Sequence, residues 1–269
     1  MGHALLTFTP SESTAPETYL ITLPSLHIES LIYGSPFVEL NKYTYIVSST
    51  GYVAKIDYSG RGWLSGKRNS FIATLWKADE GSEKSLYSVE GQWSDCFVIK
   101  EGDIKHGNVI DTYNAKTTKT TPLQVKPIEE QDPYESRKAW RKVAQSIENG
   151  DMDSASHYKS RIENAQRALR KREREEEREW DRVFFKRIHN DDDNEAGFQK
   201  LVNLVHGLGG WTGVEADKTG GVWRFDEQKT REAKSPYHPE GLVGLGENED
   251  GTSAPITPVT TSTSMDGKQ

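Results

Sequence analysis

The chain has 269 residues, 34% hydrophobic and 10% aromatic, which is enough to bury one large core or two small ones, and its formal net charge is −7. That acidic balance argues against a dedicated nucleic-acid binder, which carries a basic face on a basic domain. Cys96 is the single cysteine, so no intrachain disulfide is expected; with no apolar run near about 18 residues and no signal peptide ahead of "MGHALLTFTP", the chain reads as cytosolic, meeting membranes only from outside.

From about residue 17 to 114 the sequence predicts strand after strand. "TYLITL", "LHIESLIY", "PFVEL", "YTYIVSST", "GYVAKIDYS", "SFIATLWKA", "SLYSVEGQW", "CFVIK" and "NVIDTY" are short, rich in β-branched and aromatic residues, and separated by Gly, Pro, Asn or Ser. Their spacing predicts an antiparallel sheet, sandwich or barrel. At Asp132 the texture changes. "DPYESRKAWRKVAQSIENGD" predicts a helix that opens with Pro133, shows Ala139, Trp140, Val143, Ala144 and Ile147 on one face, and stops at Asn149-Gly150. "SHYKSRIENAQRALRKREREEEREW", residues 156–180, predicts a second helix of about 38 Å at 1.5 Å per residue. Tyr158, Ile162, Ala165 and Leu169 form its apolar stripe. Beyond Leu169 the stripe ends, so "RKREREEERE" is expected as a solvated extension held by charge pairs one turn apart. "GFQKLVNLVHGLGGW" predicts a short helix and "GGVWRF" a strand. From about Lys234 the chain is rich in Ser, Thr, Pro and Gly and is expected to be disordered.

No catalytic constellation stands out: Gly-x-Ser-x-Gly, His-Glu-x-x-His and paired zinc cysteines are all lacking, so neither an enzyme nor a cofactor is expected. "HNDDDNEAG" resembles a cation loop, but counted from Asp191 the positions needing Gly and Glu hold Ala196 and Val202, and an acidic solvated loop is expected instead. "GLGGWTG" and "GLVGLGENEDG" miss the dinucleotide spacing. His27 alternates with apolar neighbours and reads as a structural histidine, and Cys96 has no electropositive neighbour to activate it. Lys159, Glu163 and Arg167 differ in degree. At a four-residue spacing they share one face beside the apolar stripe, where Glu163 can hold the Arg167 fork for a phosphate. The same spacing also describes an ordinary surface ladder, and spacing alone does not choose between them.

Three stretches together, "LHIESLIYGSPFVELNKYTYIVSSTGYVAKIDYSGRGWLSGKRNSFIATLW", "EEQDPYESRKAWRKVAQSIENGD" and "KSRIENAQRALRKREREE", are similar to the oxysterol-binding protein related family, especially its short single-domain lipid exchangers. The resemblance runs over roughly residues 3–187. It implies a nearly complete antiparallel β-barrel around a tunnel that takes a sterol, or alternatively the acyl chains of phosphatidylinositol 4-phosphate, and carries the lipid between membranes. The family's Lys-x-x-x-Glu-x-x-x-Arg row binds the inositol phosphate head, which by this match assigns Lys159, Glu163 and Arg167 to that role. Ile28 and Leu31 of "LHIESL" and Pro36 and Val38 of "SPFVEL" fall where the family lines its sterol tunnel. The chain departs from the pattern in lacking the EQVSHHPP fingerprint, the lid helix and the first barrel strands, so Met1 reads as an internal start and the chain as a truncated form.

The expected fold is therefore α+β, a partial antiparallel β-barrel followed by long C-terminal helices. Residues 1–125 would supply the later barrel strands, 126–233 a helical subdomain and 234–269 a tail. The expected function is exchange of sterol and phosphatidylinositol 4-phosphate at the cytoplasmic side of endoplasmic reticulum, Golgi or plasma membrane contacts, without bond chemistry. Residues 159–187 carry 11 basic side chains against 7 acidic ones, so anionic membrane surfaces are expected partners and nucleic acid is not. The alternative is a non-transporting module that binds membranes or proteins through exposed strand edges and the charged helix.

Overall fold

Among the described residues, nine strands between His3 and Asn114 lie side by side, and every pairing with a recorded register is antiparallel. The computed structural model describes residues 2–8, 15–30, 36–60, 66–178, 180–189, 196–213 and 221–237. Strands β1 (His3–Phe8), β2 (Glu17–Thr22), β4 (Phe37–Ser48), β5 (Tyr52–Tyr58), β6 (Ser70–Lys77), β7 (Tyr87–Gln92), β8 (Cys96–Glu101) and β9 (Asn108–Asn114) form one continuous path, with β3 (Ser25–Glu29) paired to β4. The path does not close on itself among the described residues, so the observed architecture is an antiparallel sheet rather than a demonstrated barrel.

Two features differ from the strand pattern read in the sequence. "PFVEL" and "YTYIVSST" are one twelve-residue strand, β4, because each half has its own partner. Phe37–Asn41 pair with β3, while Lys42–Val47 pair with β5. The joint is Lys42, whose φ of 66° turns the strand without ending it. β1 was not anticipated, and it pairs with β2 over all six of its residues.

One row of fully or nearly buried side chains crosses four strands: Leu20 of β2 faces Val47, Val47 faces Val53, and Val53 faces Trp76. Helix α4 (Ala196–Gly207) packs on this face with Phe198, Leu201, Val202 and Val205, the i, i+3, i+4, i+7 stripe of an amphipathic helix. Tyr43 and Tyr45 donate their hydroxyls to the carbonyls of Gly209 (3.0 Å) and Leu208 (2.9 Å), which fixes the chain as it leaves α4. Gly91 meets a different need. Its φ is 150°, and a Cβ there would strike the Cys96 carbonyl oxygen and Phe97 Cα on β8.

The chain divides into two compact units, one of residues 1–121 with 187–223 and one of 122–186 with 224–269. Residues 187–223, which the sequence placed with the helices, cluster with the sheet. In the second unit the helix expected from Asp132 begins only at Ser136. The turn before it is held by side chains: Tyr134 N donates to Asp132 Oδ1 (2.9 Å) and Asp132 N to Glu135 Oε1 (3.0 Å). Helix α1 (Ser136–Ala139) gives way at Trp140 to α2 (Arg141–Glu148), of whose expected apolar face Val143 is buried while Trp140 and Ile147 are exposed. Gly150, at φ 73°, ends α2 as expected. Helix α3 (Met152–Glu175) stops five residues short of Trp180. A second small sheet pairs β10 (Phe185–His189) with β11 (Gly221–Phe225), and α5 (Glu227–Glu232) follows.

Leu20→Ala, at the β2 end of the α4-covered row, should lower stability by about 2–5 kcal/mol, whereas Ile72→Ala on an exposed part of the same face should cost under half as much. Urea denaturation midpoints of the two variants check this, and equal losses would contradict the assigned core.

Candidate functional site

Helix α3 starts where Asp151 accepts a hydrogen bond from Ser154 N (3.0 Å). The hydrogen bond from the Ser154 hydroxyl, and then this backbone one, hold the Asp151 carboxyl below its usual pKa. From there Ala155, Ile162, Ala165, Leu169 and Glu173 run down one buried stripe, and α3 packs on α2. Tyr158, expected in that stripe, is half-buried, with the Lys142 ammonium 5.4 Å from its ring centroid. The stripe does not end at Leu169. One turn on, Glu173 is only 6% exposed, its carboxylate bound by Arg170 Nη1 at 2.8 Å, and the Arg170 guanidinium lies 5.1 Å from the Trp180 ring centroid. The expected solvated extension is thus anchored through its second turn, by a charge pair instead of an apolar side chain.

Beside the stripe stand Lys159, Glu163 and Arg167, with side chains 57%, 39% and 67% exposed. Lys159 Nζ is 2.7 Å from Glu163 Oε1, and Arg167 Nη2 is 3.9 Å from Glu163 Oε2 while donating to Asn164 Oδ1 at 2.8 Å. The hydrogen bond from Lys159 and its charge, and then the charge of Arg167, hold the Glu163 carboxyl below its usual pKa. The structure therefore brings the three predicted residues together as a braced row. Two cations flank one carboxylate at the surface, and the row keeps a net positive charge with donors open to an anion.

The sheet carries the second feature. Opposite the α4-covered face, the registers align three further rows. Ile21 faces Ile46, Ile46 faces Ala54 and Ala54 faces Leu75. Ile56 faces Ala73, Ala73 faces Val89 and Val89 faces Ile99. Tyr58 faces Phe71, and Phe71 reaches across Gly91 to Phe97, which faces Tyr113. Phe71 and Phe97 meet edge to face at 5.5 Å, and Phe97 stacks on Tyr113 at 4.9 Å. None of Ile21, Ile46, Ile56, Leu75, Val89 and Ile99 is buried; all are half-exposed. This apolar face escaped the sequence reading because strands such as "SFIATLW" are apolar on both sides, and only the register separates Phe71, Ala73 and Leu75 from Ile72 and Trp76.

Of the residues matched to a tunnel lining, Ile28 and Val38 are direct cross-strand partners on the β3–β4 ribbon, both exposed (56% and 47%), beside the pair Leu26 and Leu40. Pro36 is exposed just before β4, and Leu31 lies outside the described residues. His27, expected as a structural histidine, is exposed. Its register partner Glu39 is buried and accepts from Asn69 N at 2.6 Å. Cys96 is exposed. Among the described residues no cluster of three His, Cys, Asp or Glu side chains could hold a metal ion, and no helix is long and apolar enough to cross a membrane. The cation loop considered at residues 190–195 lies outside the described residues.

The family model described as Oxysterol-binding protein matches residues 1–203. The chain belongs to the oxysterol-binding protein family. Protein kes1 of Schizosaccharomyces pombe is 39% identical over 206 residues, covering 76% of this chain and 51% of that protein. The "Probable transporter efuK" of Hormonema carpetanum is 36% identical over 241 residues, 88% of this chain but 32% of the relative. The chain thus spans about half or less of the length of these family members. Among solved structures, the Osh1 ORD domain in complex with cholesterol matches with a TM-score of 0.56 at 16% identity, over 84% of this chain and 53% of that one, a likeness of fold.

Because the folded-state pKa of Glu163 is depressed, the stability it contributes is complete above its unfolded pKa and is lost as pH falls through the lower, folded one. Wild type should therefore be more stable than Glu163→Gln at neutral pH, and the difference should shrink to nothing on acidification. Denaturation midpoints of both proteins measured down to about pH 2 test the sign.

Proposed function

We propose that this chain is a lipid-binding part of a sterol and phosphoinositide carrier that works without making or breaking bonds. The observation that carries the reading is the half-exposed apolar face, Ile21 to Ile99, in a member of the oxysterol-binding protein family. A rigid sterol ring system or acyl chains laid on it would remove several branched and aromatic side chains from water, each worth about 1.5–3 kcal/mol when fully buried. Solved structures of the Osh1 ORD domain hold cholesterol and ergosterol, and the shared fold supports a sterol as the cargo here. Lys159 and Arg167, braced by Glu163, would take the phosphate of phosphatidylinositol 4-phosphate, with the sterol-lining role extended to Ile28, Leu31, Pro36 and Val38. The place of action is the cytoplasmic surface of anionic membranes.

A second reading rests on β9, whose residues from Asn108 to Tyr113 are all exposed, with Val109 and Ile110 among the most exposed apolar side chains. As the last strand of the path it offers an edge for another chain, as an interaction module would. Salt-sensitive binding to anionic vesicles without extraction of labelled sterol would select this reading.

Lys159→Ala and Arg167→Ala should each weaken binding of phosphatidylinositol 4-phosphate about 10- to 100-fold, the range of a lost charge-assisted contact, while leaving sterol uptake unchanged. Vesicle-binding and sterol-extraction assays on the purified chain measure both, and undiminished phosphoinositide binding would remove the row from the site. Val89→Asp, which plants a charge in the middle apolar row, should abolish sterol extraction; unchanged extraction would place the cargo elsewhere.

A further inference from the structure

In the second unit, one carboxylate holds together two segments a hundred residues apart. Asp132 is 2% exposed. Its Oδ1 accepts from Tyr134 N, and its Oδ2 accepts from the Ser235 hydroxyl at 2.6 Å and from Tyr237 N at 3.0 Å. The Tyr237 ring meets Phe184 edge to face at 5.0 Å. Upstream, α5 is tied by Lys229 Nζ to Asp181 Oδ1 (2.6 Å) and the Arg182 carbonyl (3.0 Å). The stretch assigned to a disordered tail therefore begins with residues that are tied down, and Asp132 is the post they hang on.

Ser235 differs from its partner in one respect: it is exposed, with its hydroxyl turned to a buried acceptor, and Pro236 follows it. Ser-Pro is the dipeptide that proline-directed protein kinases accept. We propose that Ser235 is a phosphorylation site and that its phosphorylation opens the Asp132 clasp. In the transfer, Ser235 Oγ forms a bond to the γ-phosphorus of a nucleoside triphosphate, the β–γ bridging P–O bond breaks, and the nucleoside diphosphate leaves with that electron pair. The hydroxyl proton passes to the kinase's base and then to solvent.

The chemistry removes the hydroxyl hydrogen that Ser235 gives to the clasp. Before transfer, Ser235 donates its hydroxyl proton to Asp132 Oδ2; afterwards it carries only acceptors and a charge of about −1.5 to −2 at neutral pH. Two like charges then face each other, one of them on the buried Asp132 carboxylate, where repulsion is screened less than between two groups in bulk water. The nearby Lys138 ammonium already serves the carbonyls of Glu129 and Gln131. Ser235 and Tyr237 lie two residues apart in one segment, so displacing the phosphorylated side chain from Asp132 Oδ2 draws the Tyr237 N–H away from the same oxygen. Since the hydroxyl is engaged, the kinase reaches it through local opening of the segment, and the phosphate prevents reclosing.

The test uses the whole chain, a purified proline-directed kinase with ATP, mass mapping of phosphopeptides, and amide hydrogen exchange over residues 130–136 and 233–237. One phosphate should appear on Ser235 and be absent from Ser235→Ala. Exchange at Tyr237 should quicken about tenfold or more in the phosphorylated chain. Asp132→Asn, which keeps an acceptor and drops the charge, should restore slow exchange to the phosphorylated protein. A kinase that modifies Thr257 and leaves Ser235 untouched overturns the proposal, as does a phosphorylated Ser235 with unchanged exchange. If Asp132→Asn does not fold, Ser235→Glu in the native background decides: fast exchange at Tyr237 supports the repulsion and slow exchange refutes it.

Discussion

A sheet that is apolar on both faces must have both faces dealt with, and α4 deals with one. Leu20, Val47, Val53 and Trp76 reach near-complete burial where the helix lies, whereas Ile46, Ile56, Leu75, Val89 and Ile99 on the other side stay half-exposed. Antiparallel sheets usually relieve this by placing polar side chains outward. Here polar groups occupy the α4 side away from the helix instead, as in the Lys55–Asp57 and Lys100–Glu90 pairs. The apolar rows are therefore a surface with an unmet demand for a nonpolar partner, and the proposed lipid cargo is a partner of matching chemistry.

The cation row depends on a different economy of the chain. A helix face has room for a packing stripe and a charged row side by side, because residues three and four apart stack while their neighbours turn away. In α3 the stripe holds the helix on α2, so Lys159, Glu163 and Arg167 need contribute nothing to packing and keep their heads at the surface. The Arg170–Glu173 pair extends the anchorage beyond the last leucine. The row is thus presented by a helix supported both before and after it.

The clasp at Asp132 applies the same logic to the end of the described chain. The residue that holds the turn before α1 with Oδ1 uses Oδ2 to hold Ser235 and Tyr237. A turn residue with a second task is a site where one covalent change reaches two segments at once.

The sequence alone determined the number and order of most strands, the antiparallel sheet class, the family, the stop at Gly150 and the row on α3, because each is written in local periodicity, turn residues or a contiguous motif. It missed β1 and β10, the fusion of two short strands into β4, the break at Trp140 and the burial of Glu173. Several of these depend on a partner outside the segment itself: β2 for β1, β3 and β5 for the two halves of β4, Trp180 for the arginine that neutralises Glu173. Which face of "SFIATLW" meets α4 and which stays open was decided by tertiary structure alone, since a period of two assigns side chains to alternate faces but only the pairing register says which neighbour covers them.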